Sequence, residues 1–145
     1  MAEDRPDPEP GPYEVVVSLS AASLNFRDLL VVEGSYSRSI TPPLIPLSDG
    51  AGTVTAAGSG VSRVAVGDRV MPTFFQGWIG GEPRSHLMAP TTLGGPLDGT
   101  LAEAMVISEQ GLVKTPDYLS DEEAACLPCA ALTAWSALIF QGELG

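Results

Sequence analysis

Polar and apolar residues partly alternate from Tyr13 to Ser20 (YEVVVSLS), and the run is rich in valine, which predicts a strand with one face buried. Asn25 to Gly34 reads as a short helix, with Asn25 as its cap, Asp28 in a first turn that favours negative charge, and Gly34 closing the end. After a loop bounded by Pro42, Pro43 and Pro46, Gly50 to Ala57 predicts a second strand. Gly58-Ser59-Gly60 then predicts a turn, and Gly67 to Met71 a tight turn feeding another strand. From Gln76 to Gly99 the paired glycines at Gly80-Gly81 and Gly94-Gly95 predict a loop, expected to be the most mobile part, before Leu101 to Ser108 resumes a strand. Ser120-Asp121-Glu122-Glu123 has the spacing of a capping box ahead of an apolar helical run. Pro128 should split that run, leaving Ala130 to Phe140 in the second piece. Residues 1–12, rich in proline and acid, predict an extended, poorly ordered leader. The pattern is a mainly β fold with short helices in two regions, a small curved barrel.

Composition narrows the class. A chain of 145 residues is one domain's worth, and 16 glycines with 13 prolines punctuate it too often for long helices. Eighteen acidic against seven basic residues give a formal charge of -11, which repels a phosphate backbone and excludes nucleic acid as the expected partner. The opening residues lack a basic region followed by an apolar run, and no stretch approaches the roughly 20 apolar residues that span a bilayer. The expected setting is cytoplasmic and off the membrane. Two cysteines three positions apart fit a reducing compartment.

Few motifs carry chemistry by themselves. Gly58-Ser59-Gly60 lacks a third glycine and leads into no helix, so it reads as a turn rather than a phosphate cradle. Cys126-Leu127-Pro128-Cys129 admits a redox dithiol or half of a zinc site. The upstream acids Asp121, Glu122 and Glu123 would raise a thiol pKa, His86 is the lone histidine, and buried, helix-packing cysteines are the expectation. Asn25-Phe26-Arg27-Asp28 reads on physical grounds as a capped helix start, and a pure cap would tolerate Asn25→Asp.

Taken in order, Ala22-Ser23-Leu24-Asn25-Phe26-Arg27-Asp28, Leu47-Ser48-Asp49-Gly50-Ala51-Gly52, Gly67-Asp68-Arg69-Val70, Asp98-Gly99-Thr100-Leu101-Ala102-Glu103, and Glu122-Glu123-Ala124-Ala125 with Leu132-Thr133-Ala134-Trp135 resemble the catalytic domain of the medium-chain dehydrogenase/reductase superfamily. The resemblance covers nearly everything after Pro10 and implies a GroES-like, partly open β-barrel over residues 13–145, cut off before a Rossmann domain. In zinc-dependent members the catalytic metal resembles a Cys, His, Cys site at positions matched here by Asn25, Ser48 and Cys129, so no zinc is expected.

The pattern without those ligands resembles the quinone-reductase-like branch and NAD(P)-dependent alcohol dehydrogenases that lack the metal site. The implied activity is hydride transfer to or from a quinone, enone or alcohol/carbonyl substrate. NADP or NAD would serve the full-length enzyme, and none would bind this chain alone. By that likeness Asn25 contacts the nicotinamide ribose or the substrate oxygen, Asp28 holds the helix presenting it, Thr133 faces the nicotinamide and Tyr36 donates a proton or hydrogen bond. Leu29 and Leu30 stand where some members carry a tyrosine donor. The implied partners are a small-molecule substrate, the Rossmann domain and, in the full-length enzyme, a second copy. The alternative is a non-enzymatic GroES-like binding or assembly module, or an inactive truncated product.

Overall fold

The structure is a computed structural model that describes residues 4–37 and 40–142; residues 1–3 of the predicted leader lie outside the described residues. Its elements are β1 (Glu14–Ser23), α1 (Phe26–Val32), β2 (Asp49–Ala57), β3 (Arg69–Pro72), α2 (Ser85–Met88), β4 (Ala104–Ser108), β5 (Leu112–Lys114), α3 (Asp121–Ala125) and α4 (Leu132–Trp135). The five strands form one antiparallel sheet in the order β4-β1-β2-β3-β5. Among the described residues it does not close, which matches the partly open barrel.

The valines of β1 hold the sheet's centre. Val15 and Val17 are fully covered and stand opposite Ala57 and Val54 of β2 on one side and Ile107 and Met105 of β4 on the other. They share a core with Val54, Val64, Val70, Leu93, Ile107 and Leu112, and each such side chain contributes about 1.5–3 kcal/mol by leaving water. β1 runs three residues beyond its predicted end. There Ala21, Ala22 and Ser23 pair with Ala51, Gly50 and Asp49, and a register shift falls between Leu19 and Ala21. Gly52 sits at that shift, where a Cβ would collide with the carbonyl oxygen of Ser18, so only glycine lets the strands approach.

A second, smaller core sets the position of the C-terminal helices. Ala124 and Ala125 of α3 pack on Ala51 and Met71, and the small alanines bring that helix close to β2. The capping box forms as predicted: Ser120 Oγ accepts from Glu123 N at 3.2 Å, and Glu123 Oε2 accepts from Ser120 N at 2.9 Å. Pro128 does break the helical run. Beyond the break the chain forms no plain helix but two wide, π-type turns, Leu127–Ala131 and Ser136–Gln141, flanking α4.

The predicted 76–99 loop contains α2 and is pinned at Leu93 and Gly95 by Arg27, and β5 is a strand that the hydrophobic pattern did not predict. Residues 4–12 carry no regular structure yet touch the fold, through Arg5 on Asp98 at 2.8 Å and through the Pro12 carbonyl, which accepts from Gly60 N at 2.7 Å. Among the described residues, no helix is long and apolar enough to cross a membrane.

Candidate functional site

Three chain segments meet at Asp49, the first residue of β2. It is fully covered, and its Oδ2 accepts from Asn25 Nδ2 at 3.0 Å and from Cys129 N at 3.2 Å. The Ala130 backbone N–H also donates to this carboxylate. Ser48 Oγ lies 3.4 Å from Oδ1, and Thr100 Oγ1 donates to the Asp49 carbonyl at 2.8 Å. The wide turn at Leu127–Ala131 explains the geometry, since it aims successive N–H groups of a helical segment at an acid instead of at the preceding helical turn. Burial pushes the Asp49 carboxyl above its ordinary range, against the lowering effect of these hydrogen bonds.

The local backbone is over-determined at this point. Leu47, two residues upstream, has φ 69°, a left-handed conformation that a bulky residue adopts only under constraint. Its carbonyl accepts from Thr100 N at 3.0 Å, and it lies so close to Gly99 that a Cβ there would strike the Leu47 carbonyl oxygen. The strained turn delivers Ser48 and Asp49 inward, both fully buried.

Asn25 occupies the N-cap position of α1, where it forms a capping box with Asp28, and its Nδ2 also donates to Asp49 Oδ2 at 3.0 Å. Asp28 Oδ2 accepts from Asn25 N at 2.7 Å. Its other oxygen is buried without a hydrogen-bond partner, 3.8 Å from Arg27 Nη1. Arg27 joins the cluster to a neighbouring cleft. Its guanidinium lies 4.8 Å from the Tyr36 ring centre and 4.9 Å from that of Phe74, and it donates to Leu93 O at 3.0 Å and Gly95 O at 2.8 Å. The cleft, about 520 Å³, is lined by Tyr36, Ile40, Phe74, Phe75 and Met88 among others. Tyr36 therefore belongs to the cleft wall and stacks on Arg27. Thr133, exposed on α4, hydrogen-bonds the Cys129 side chain.

The cysteines differ from the buried pair that the sequence predicts. Cys126 is exposed, because α3 ends there and its covered face is completed by Ala124 and Ala125; its sulfur lies 3.6 Å from Ser23 Oγ. Cys129 is half-buried, and its thiol is pushed up first by burial and then by the Asp49 carboxylate, not by the acids upstream. Sequence reasoning passes over Asp49 and Arg27. A single acid opening a run of small residues, Gly50-Ala51-Gly52, is the signal that points to the first of them, because a carboxylate in such a strand needs internal donors.

The alcohol dehydrogenase GroES-like domain family matches residues 11–117, and the chain belongs to it. It is 42% identical over 91% of its length to a zinc-type alcohol dehydrogenase-like protein of Schizosaccharomyces pombe, and 39% identical over 92% to a chloroplast envelope quinone oxidoreductase homolog of Arabidopsis thaliana. A solved NAD-dependent alcohol dehydrogenase superposes with a TM-score of 0.80 at 38% identity over 96% of the chain. The chain spans 38%, 35% and 42% of these three proteins respectively. Its relatives are oxidoreductases of the alcohol dehydrogenase and quinone reductase type.

The name of the yeast relative raises zinc, and the donor set here does not fit it. Where three ligands would be needed, the Asn25 amide donates to Asp49, Ser48 offers a neutral hydroxyl, and burial disfavours the Cys129 thiolate. Among the described residues, no three of His, Cys, Asp and Glu gather in a way that could hold a metal.

Proposed function

We propose that this chain is the catalytic-domain part of a zinc-independent NAD(P)H-dependent oxidoreductase that moves hydride to or from a quinone, enone or alcohol/carbonyl substrate. The observation that carries the reading is the Asn25–Asp49–Cys129 hydrogen-bonded cluster, which stands beside an aromatic cleft in an oxidoreductase fold and uses amide and carboxylate where a metal would need soft ligands. The nicotinamide, when bound, supplies or takes the hydride.

The chain's own residues bind, orient and exclude water. Asn25 would contact ribose or substrate with its side chain, while Asp28 fixes its backbone. Thr133, on the exposed face of α4, would meet the nicotinamide. Tyr36 would lend its hydroxyl as proton or hydrogen-bond donor at the cleft, whose walls of Ile40, Phe74, Phe75 and Met88 keep the reacting carbon skeleton dry. Among the described residues, no glycine-rich turn opens a helix that could cradle a pyrophosphate, so the dinucleotide would be held by a Rossmann domain. The full-length enzyme would work as a homodimer in the cytoplasm.

The test joins the chain to a nucleotide-binding half and follows NADPH and NADH oxidation with a quinone, an enone and an aldehyde after dialysis against a chelator. Metal-independent turnover of one of them is expected, and silence with all three would overturn the reading. This chain alone should bind NADPH more weakly than about 10 µM, or about 7 kcal/mol, by calorimetry. A rival, the non-enzymatic binding module, is favoured by one observation: Leu132, Trp135 and Phe140 are 60%, 57% and 71% exposed on the last helical segments. It predicts self-association in size-exclusion chromatography and no turnover.

A further inference from the structure

Between Phe75 and Thr92 the chain leaves the fold and returns to nearly the same place. Gln76 N donates to Thr91 O at 2.9 Å, Phe75 bridges Thr92, and Leu93 N donates to Phe74 O at 3.2 Å, so the two ends form a closed neck. The neck is held from outside, by Gln76 Nε2 on Thr73 O at 2.6 Å and by Arg27 on the carbonyls of Leu93 and Gly95. Beyond it, residues 77–86, 89 and 90 are exposed, and Met88 is half-buried. Among the described residues, the hydrogen bonds of this segment close on itself or on its neck: Trp78 Nε1 to Gly81 O at 3.2 Å, Met88 N to Arg84 O at 3.0 Å, and Thr91 Oγ1 to Met88 O at 3.0 Å. Gly81 has φ 81°, and a Cβ on it or on Gly80 would meet nothing within 4 Å. A pinched neck under a self-bonded, exposed segment is an Ω-loop, whose opening costs little because few buried contacts hold it.

The inner side of this segment is part of the aromatic cleft. Pro83, Ser85, Met88 and Ala89 line it together with Phe74 and Phe75, whose rings meet edge to face at 4.6 Å. Among the described residues, no charged side chain lines the cleft. Arg27 touches its wall through the Tyr36 and Phe74 rings, but its Nη1 and Nη2 are engaged by Leu93 O and Gly95 O. A carboxylate or phosphate entering there would give up hydration without gaining a counter-ion, and the net charge of -11 opposes its approach. A neutral ring gives up no such hydration and gains aromatic contacts.

We infer that residues 77–90 are a flap that closes over an uncharged, ring-bearing carbonyl compound in this cleft, with Met88 as the side chain that decides which ring fits. The carbonyl rests on the oxidoreductase reading. The flap and the neutrality of its ligand rest on the cleft alone.

Arg84 is exposed in the flap, so trypsin reads its opening on this chain. In the free chain, cleavage after Arg84 should outpace cleavage after Arg69, which lies in β3 and opens only with the sheet. The probes are 2-acetonaphthone and 2-naphthoate, one bicyclic ring carrying either a ketone or a carboxylate. At about ten times its calorimetric dissociation constant, the ketone should slow cleavage after Arg84 about tenfold. It should also move the Met88 methyl resonance, identified by its loss in Met88→Leu. The carboxylate should do neither. Met88→Ala should weaken the ketone about tenfold or more, whereas Met88→Leu, of similar volume, should not, and both should keep the wild-type melting temperature.

Cleavage after Arg84 no faster than after Arg69 in the free chain overturns the flap as a separate unit. A ketone that moves Met88 without slowing cleavage overturns closure, and equal binding of the carboxylate overturns neutrality. A ketone that binds Met88→Ala as tightly as wild type, or does not bind at all, overturns the assignment of the site. A completed enzyme whose flap closes on the ketone but which transfers no hydride would sink the oxidoreductase reading and leave the flap standing.

Discussion

Asn25→Asp separates a helix cap from a carboxylate partner. As a plain N-cap, Asp serves about as well as Asn, and stability should hold within roughly 0.5 kcal/mol at any pH. The structure predicts otherwise, because the substitution places a second carboxylate about where Nδ2 now sits, 3.0 Å from Asp49 Oδ2. Two unit charges at that distance repel by about 5.5 kcal/mol at an effective dielectric of about 20. Retaining a proton on one of them at about pH 7 costs about 4 kcal/mol relative to an unfolded Asp with pKa about 3.9. Protonation is the cheaper route, so about 4 kcal/mol is the ceiling at neutral pH, and partial exposure of residue 25 reduces it to about 2–4 kcal/mol. The pair's folded pKa lies above the unfolded value, so stability is retained in acid and lost as pH rises. Near pH 4 the shared proton replaces the lost amide donor, and the penalty should shrink below about 1 kcal/mol. Urea melts of the wild type and the variant at both pH values read this directly. A penalty independent of pH, or one below about 0.5 kcal/mol at neutral pH, would refute the Asn25–Asp49 contact.

Three further outcomes are expected from the same structure. Glu109 accepts from Ser62 N and Arg63 N at 2.7 Å each, contacts that hold its carboxyl below the usual range; its stabilisation is present above the ordinary Glu pKa and lost as pH falls through the lowered value. In Glu109→Gln, the deficit against wild type seen at neutral pH should therefore vanish in acid melts, and a constant deficit would contradict this. Arg27→Lys should lose about 1–3 kcal/mol in chemical denaturation, since an ammonium cannot both stack between Tyr36 and Phe74 and reach the carbonyls of Leu93 and Gly95; a change under about 0.5 kcal/mol would remove Arg27 as the pin of that loop. Elemental analysis after chelator dialysis should find well under one zinc per chain, and about one retained zinc would contradict the donor chemistry at Asn25, Ser48 and Cys129.

The elements legible in the sequence are those with a local cause. The valines of β1, the Gly67 turn with φ 94° and the Ser120 capping box each carry their signal within a few residues, and each forms. β5 is not legible because three residues hold no period, and the strand exists only through its pairing with β3. Cys126 misleads because its apolar neighbours suggest a continuous buried face, whereas α3 ends at that residue. The site is half legible. Asn25 and Asp28 stand out by spacing, but the dependence of Asn25 on residues 24 to 104 positions away is set by tertiary pairing, which no local pattern encodes.

The buried acid also explains why Asn25 and the wide turn belong together. An ionised carboxylate with no exposure loses its hydration, and that loss is recovered only by internal donors. The donors on it lie outside β2, which pairs with β1 along its length and with β3 at Gly52 and Thr53. They come from the wide turn at Leu127–Ala131, whose backbone N–H groups are displaced from regular α-helical pairing, from the Asn25 side-chain amide and from the Ser48 hydroxyl. A regular helix through Pro128 would withdraw the Cys129 donor, and an apolar residue at 25 would withdraw the amide. Burial already drives the Asp49 carboxyl above its ordinary range, so either loss would push it further, and this acid would then hold its proton at higher pH than it does now. Once protonated, Asp49 could itself donate, and Asn25 would no longer be held in one orientation. The kinked helix and the strained Leu47 turn are thus the structural conditions under which a buried carboxylate holds the Asn25 amide.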